Sequence, residues 1–304
     1  MRPKGAGMPS DIRGVYVANL TPFAASGEID LAAYIAHAEW LAARGVHGIV
    51  PFGTNGEGPS VALPEKRRVL EALFARRLTC QVLPAVMQGN LPDTLELVRA
   101  ASELPAAAVV VLPPYYFKPL SADGLRRFIE PVLETARMPV ILYHIPKYAV
   151  PIPVQVIIDL PVWGVKDSGG EPGYAETLLA AGKRVLVGTE DHLWGRLTGG
   201  AQGLISALAN VIPERILEIY SLAQRGNEEQ GRPLAALLQE VRAKTKEYAA
   251  PAVLKLLAQA RHGVPMGLVR PPLTAAPDAY DPEAILHLAG VAGDRSAKDR
   301  RLEA

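Results

Sequence analysis

Short apolar runs rich in β-branched residues alternate along this chain with longer segments that are apolar on one side only. The runs are Val15–Phe23, His47–Phe52, Gln81–Met87, Ala107–Leu112, Pro139–His144, Trp163–Lys166, Arg184–Gly188 and Gly203–Ala207. Each suits a strand buried on both faces, as in a parallel sheet. The intervening segments are Leu31–Arg44, Pro64–Arg77, Leu91–Glu103, Ala122–Ala136, Pro153–Asp159, Pro172–Ala181 and His192–Thr198. Each can turn an apolar face at helical spacing. Pro64 and Pro172 suit first-turn positions, and Asp30 and Ser121 suit N-caps.

Strands alternating with helices at this count predict an α/β fold, a (β/α)8 TIM barrel over residues 10–212. The competing arrangement is an open doubly wound sheet. A dinucleotide-binding sheet of that type calls for GxGxxG after its first strand, and this strand ends in Asn19-Leu20-Thr21-Pro22-Phe23. Further helices are expected at Pro213–Ala223, Pro233–Tyr248 and Pro251–His262, so residues 213–290 are assigned to a C-terminal helical extension. Residues 1–9 and the charged tail 291–304 are expected to be flexible.

Composition narrows the function classes. The formal net charge is +1, and no basic stripe interleaved with aromatics suggests nucleic acid as a partner. No apolar run reaches a membrane span, and the first residues lack the apolar core of a signal peptide. A cytoplasmic protein with no membrane partner is expected. Cys80 is the single cysteine, which excludes a disulfide framework, and it reads as a small buried hydrophobe. The six histidines show no metal-ligand spacing, so no metal site is expected.

The chemistry concentrates at Lys166. It ends the apolar run Val162-Trp163-Gly164-Val165 and precedes Asp167-Ser168-Gly169-Gly170. Burial disfavours an ammonium ion, so a lysine there is disposed to react as a neutral amine and form a Schiff base. The bland reading is a lysine that reaches solvent or pairs with Asp167. In a barrel, active groups collect where strands end. Tyr143 stands at the neighbouring strand end as a proton donor and acceptor, though strand tyrosines are more often core. Gly53, Thr54 and Asn55 open the glycine-rich turn Gly53–Gly58, whose N–H groups suit a carboxylate. That turn also reads as an ordinary tight turn whose glycines supply positive φ, with Glu57 capping it or pairing inside it.

Gly53-Thr54-Asn55-Gly56-Glu57, Tyr143-His144-Ile145-Pro146, Gly164-Val165-Lys166-Asp167-Ser168-Gly169-Gly170, Pro114-Tyr115-Tyr116 and Arg270-Pro271-Pro272 together make the chain, over roughly residues 10–290, resemble the dihydrodipicolinate synthase/N-acetylneuraminate lyase family. These are class I pyruvate-dependent aldolases. The resemblance implies that Lys166 forms an imine with pyruvate and that Tyr143 relays protons. It implies that Thr54 links Tyr143 to Tyr116, a tyrosine that family members place in a neighbouring subunit's site. Thr54 and Asn55 would bind the pyruvate carboxylate, and Gly188 and Ile205 would line its pocket. No cofactor is implied, and the assembly is expected to be a homotetramer.

One departure bears on the second substrate. The synthases usually continue the tyrosine-x-x-proline motif to an arginine that grips a carboxylate, whereas Lys147 and Tyr148 follow Pro146 here. The expectation is therefore a lyase that reversibly cleaves a 2-keto-3-deoxy or 4-hydroxy-2-keto acid to pyruvate and an aldehyde. The alternatives are dihydrodipicolinate synthase, a keto-deoxy sugar-acid dehydratase, and a silent ligand-binding homologue.

Overall fold

The computed structural model describes residues 11–293; the expectations for residues 1–9 and 294–304 lie outside them. The strands are Gly14–Val17 (β1), Gly48–Ile49 (β2), Gln81–Val82 (β3), Ala85–Val86 (β4), Val109–Val111 (β5), Val140–His144 (β6), Gly164–Asp167 (β7), Arg184–Val187 (β8) and Gly203–Ser206 (β9). All pair in parallel, in the order β3-β2-β1-β9-β8-β7-β6-β5-β4.

The two ends of this sheet are halves of one run, so the sheet closes on itself as a TIM barrel. Pro84 separates β3 from β4 because it has no N–H to give. Pairing persists across the break. Leu83 N donates to Ile49 O at 2.9 Å, Ala85 N to Pro51 O at 2.9 Å, and Val110 N to Pro84 O at 2.9 Å.

Around the barrel lie Leu31–Ala43 (α1), Leu63–Ala75 (α2), Leu91–Ser102 (α3), Ala122–Thr135 (α4), Val154–Asp159 (α5), Tyr174–Ala180 (α6), Leu193–Thr198 (α7) and Pro213–Gln224 (α8). Helix α8 packs on β1 and α7 and so fills the last place in the helical layer. Glu228–Lys244 (α9), Ala250–His262 (α10) and Pro282–Leu288 (α11) follow as the C-terminal helical part. The Asp30 side chain accepts from Ala33 N and the Ser121 side chain from Gly124 N, each fixing a helix start. Helix α9 starts ahead of Pro233 because the Asn227 side chain caps it by accepting from Gln230 N.

Side chains alternate along each strand between two packed layers. Tyr16, Val50, Leu83, Val110, Ile141, Leu186 and Ile205 fill the barrel interior, and Tyr143 joins them. Val15, Val17, Val109, Val111, Leu142, Val165 and Val187 face the helices. Each large aliphatic side chain buried this way contributes about 1.5–3 kcal/mol of transfer free energy. The same alternation turns Lys166 inward and Asp167 outward. Cys80 is half-buried against the core, and burial pushes its thiol up to about 11. No helix among the described residues is long and apolar enough to cross a membrane.

Candidate active site

Lys166 is 4% exposed and sits in register with Tyr143 across the β6–β7 ladder. Both point into the barrel near the carboxyl ends of their strands. The Lys166 Nζ lies 4.0 Å from the centroid of the Tyr143 ring. Tyr143 OH lies 3.3 Å from Thr54 Oγ1. Burial pushes the Tyr143 phenol up, but the adjacent Lys166 charge and the polar groups of Thr54, Ser168 and Lys166 around it outweigh that, and the phenol ends below its ordinary range. A phenol eased towards ionisation beside an amine can pass protons in both directions.

Asp167 does not pair with Lys166. Its carboxylate is wholly buried on the outer face, where Arg196 Nη1 donates to Oδ2 at 3.1 Å and Gly169 N donates to Oδ1 at 3.0 Å. The inner lysine therefore carries no carboxylate from its own strand. His144, also outward, lies 2.7 Å from Glu171 Oε2 through Nε2 and stacks on Tyr174 at 4.0 Å.

Thr54 and Asn55 are half-buried on the turn after β2. The positive φ values there belong to Phe52 (63°) and Glu57 (53°), not to the glycines. The glycines answer to space instead. A Cβ on Gly56 would stand 2.7 Å from Asn19 O, and one on Gly58 would stand 1.9 Å from Phe52 O. Gly53 is buried with room beside it. Glu57 pairs outside the turn, with Lys255 at 2.6 Å and with Arg270 N at 2.8 Å.

Gly188 borders the same interior. Its carbonyl accepts from Ser168 Oγ at 3.1 Å, and a Cβ there would lie 1.9 Å from that oxygen. Ile205 is fully buried in the barrel interior. Three of the expected site residues stand apart. Tyr116 is 81% exposed on the loop after β5, edge-on to Phe117. Lys147 and Tyr148 lie at the surface against one another, with Nζ 5.0 Å from the ring centroid. Ser168 was not singled out from the sequence, although it shares the inward face with Lys166 two positions earlier. That period of two was the available signal. Among the described residues, no group of three or more His, Cys, Asp or Glu could hold a metal ion.

A closed parallel barrel that turns a buried lysine against a tyrosine at adjacent strand ends is an arrangement that suits a lyase of the aldolase kind. The chain belongs to the dihydrodipicolinate synthetase family, whose model matches residues 11–288. It is 32% identical to an uncharacterised DapA-like lyase of Chloroflexus aurantiacus, with 71% of this chain and 76% of that one covered. It is 33% identical to the 4-hydroxy-tetrahydrodipicolinate synthase of Rhizobium meliloti, again with 71% and 76% covered. Its fold matches the crystal structure of dihydrodipicolinate synthase from Aquifex aeolicus at 25% identity and a TM-score of 0.83, with 96% and 99% covered.

Proposed function

We propose that the chain is a class I aldolase that works through a Lys166 Schiff base with pyruvate. The reaction is reversible cleavage of a 2-keto-3-deoxy or 4-hydroxy-2-keto acid. The observation that carries this is the buried Lys166 amine over the Tyr143 ring, with Thr54 against the phenol. The neutral amine adds to the C2 carbonyl, and the carbinolamine hydroxyl leaves as water by taking the Tyr143 phenol proton, which gives a protonated imine and a tyrosinate. The C3–C4 bond then breaks, and its electron pair passes into the imine to form an enamine. The C4 hydroxyl becomes the aldehyde carbonyl as its proton passes to the Tyr143 oxygen. The enamine takes up a proton, and water releases pyruvate from Lys166. The protonated imine is itself the electron sink, so no metal or organic cofactor enters the scheme.

Thr54 and Asn55 hold the keto-acid carboxylate. Among the described residues no backbone acceptor takes either N–H, which leaves both donors for an anion. Gly188 and Ile205 bound the pocket for the pyruvate carbons. Lys147 and Tyr148 meet the part of the substrate beyond them: a point charge and a hydroxyl suit a hydroxylated or acidic tail. Tyr116 completes the relay in the site of a second copy, within a homotetramer working in the cytoplasm. Its exposure beside Phe117 supports that reading.

A second reading, 4-hydroxy-tetrahydrodipicolinate synthase, is favoured by the Rhizobium meliloti relative. A substrate panel separates the two. Pyruvate release from at least one keto-deoxy or hydroxy-keto acid, with negligible condensation of pyruvate and aspartate semialdehyde, is expected. Condensation at a kcat/KM of about 10⁴ M⁻¹s⁻¹ or more promotes the synthase.

A further inference from the structure

The turn that carries Thr54 and Asn55 does not hold its shape unaided. Phe52, just ahead of it, and Glu57, within it, both lie in the left-handed region, which is strained for a residue other than glycine. Its internal hydrogen bonds are few: Glu57 N donates to Thr54 O at 3.2 Å and Gly58 N to Gly53 O at 3.1 Å. Thr21 Oγ1 donates to Gly56 O at 2.7 Å from the loop after β1.

Besides the Thr54–Tyr143 contact, the turn is restrained from the C-terminal helical part. The Glu57 side chain is fully buried, and both of its oxygens are engaged from there. Lys255 Nζ, on α10, reaches Oε1 at 2.6 Å as an ion pair, and Arg270 N donates to Oε2 at 2.8 Å. Lys255 is 2% exposed, stands 4.4 Å from the Phe23 ring centroid, and donates to Leu268 O. The Arg270 guanidinium donates to Ser60 O at 2.9 Å, two residues past the end of the turn. It also bridges to Gly27 O and to both oxygens of Glu65. Burial pushes the Lys255 amine down and the Glu57 charge opposes it, so the ammonium depends on that one carboxylate.

An apolar pair of similar volume stabilises a core as well as a buried ion pair does. A charged hydrogen bond adds a directional restraint that apolar contact lacks. We propose that Lys255 is a positioning residue: through Glu57 it holds the Thr54–Asn55 turn in the geometry that receives the keto-acid carboxylate. This rests on the pyruvate reading above. Lys255 touches no substrate. It acts through the side chain of Glu57, the residue whose backbone N–H donates to Thr54 O.

The test compares wild type, Lys255→Met and the double variant Glu57→Gln/Lys255→Met. Each is measured for half-saturation by pyruvate in borohydride trapping, turnover per trapped site, and melting temperature. Misplacing a binding group by about 1 Å can cost about a hundredfold. Lys255→Met is therefore expected to raise half-saturating pyruvate by about ten- to a hundredfold, with trapping still complete at saturation. The double variant, which leaves no unpaired buried charge, is expected to regain melting temperature but not pyruvate affinity. If Lys255 were only structural, fewer sites would fold and half-saturation per folded site would not move. That result in either variant overturns the proposal, and the double variant decides if the single one fails to fold. Wild-type protein that traps no pyruvate removes the underlying reading and this proposal with it. Trapping in wild type with unmoved half-saturation in the variants removes this proposal alone.

Discussion

Lys166 and Tyr143 are register partners on adjacent parallel strands, with the amine of one 4.0 Å from the ring centroid of the other. Their ionisations are coupled by that contact. Burial alone would push the Tyr143 phenol up, and the Lys166 charge is the first effect that brings it down. In Lys166→Met the charge is gone and burial remains. The Tyr143 phenol should then titrate higher than it does in wild type. Tyrosinate absorbance, taken as a difference against Tyr143→Phe in the same background, reads this out. A titration point equal to that with Lys166 present would mean the two groups do not communicate.

Tyr143→Phe removes one proton-transfer group and little volume. Turnover should fall by about two to four orders of magnitude. Imine formation should slow without vanishing. A phenylalanine variant within about twofold of wild type, far short of what a positioned acid–base group supplies, would place the relay on another residue.

Gly188 is expected to be intolerant of a methyl group. A Cβ there would lie 1.9 Å from Ser168 Oγ, so Gly188→Ala must displace the Ser168 hydroxyl, a partner of the Tyr143 phenol. The loss should appear in turnover, and Ser168→Ala in the Gly188→Ala background should relieve the worst of the clash and recover part of the melting temperature, with Asp167 O still 3.0 Å from the added Cβ. Wild-type turnover in Gly188→Ala would show that the Ser168 hydroxyl has nothing to do with the chemistry.

Much of this was legible in the chain. The period of the apolar runs gave the barrel, and Lys166 stood out because an ammonium is costly in such a run. Other features depend on contacts between distant segments. Gln81–Met87 reads as one strand, and only the closed barrel shows how Pro84 divides it while pairing continues on both sides. The start of α9 follows the Asn227 cap rather than the more conspicuous Pro233. Helix α11 is short, and its signal is little more than Asp281 ahead of Pro282. Glu57 looked like a residue of its own turn because nothing local points to Lys255 or Arg270. His37 and His262 have no spacing that pairs them, yet the fold sets Nδ1 of one 3.1 Å from Nε2 of the other.

That histidine pair makes a prediction about acid. His37 Nε2 lies 3.0 Å from Asn210 Oδ1, an acceptor, so it carries a proton. Neutral His37 then accepts at Nδ1 from His262 Nε2–H, and His262 Nδ1 accepts from Val264 N at 3.2 Å. Burial lowers both, His37 to about 4, and the pair joins α1 to α10 in the neutral form. The unfolded chain binds protons from about pH 6.5 downwards, where the folded pair does not. The stability of the pair is therefore complete above that pH and is lost as pH falls towards 4, by up to about 1.4 kcal/mol per pH unit for each histidine. Melting temperatures of wild type and His262→Gln across this window check it. The variant should decline less steeply, and parallel curves would show that the pair does not report the acid limb.

The central claim is that Lys166 is the amine that carries the substrate. Borohydride reduction in the presence of pyruvate, followed by peptide mass analysis, tests it most directly. The account predicts one reduced pyruvate adduct, on the peptide containing Lys166, and none in Lys166→Ala protein that keeps its fold. An adduct on Lys66, Lys255 or any other lysine, or full activity in Lys166→Ala, would contradict it.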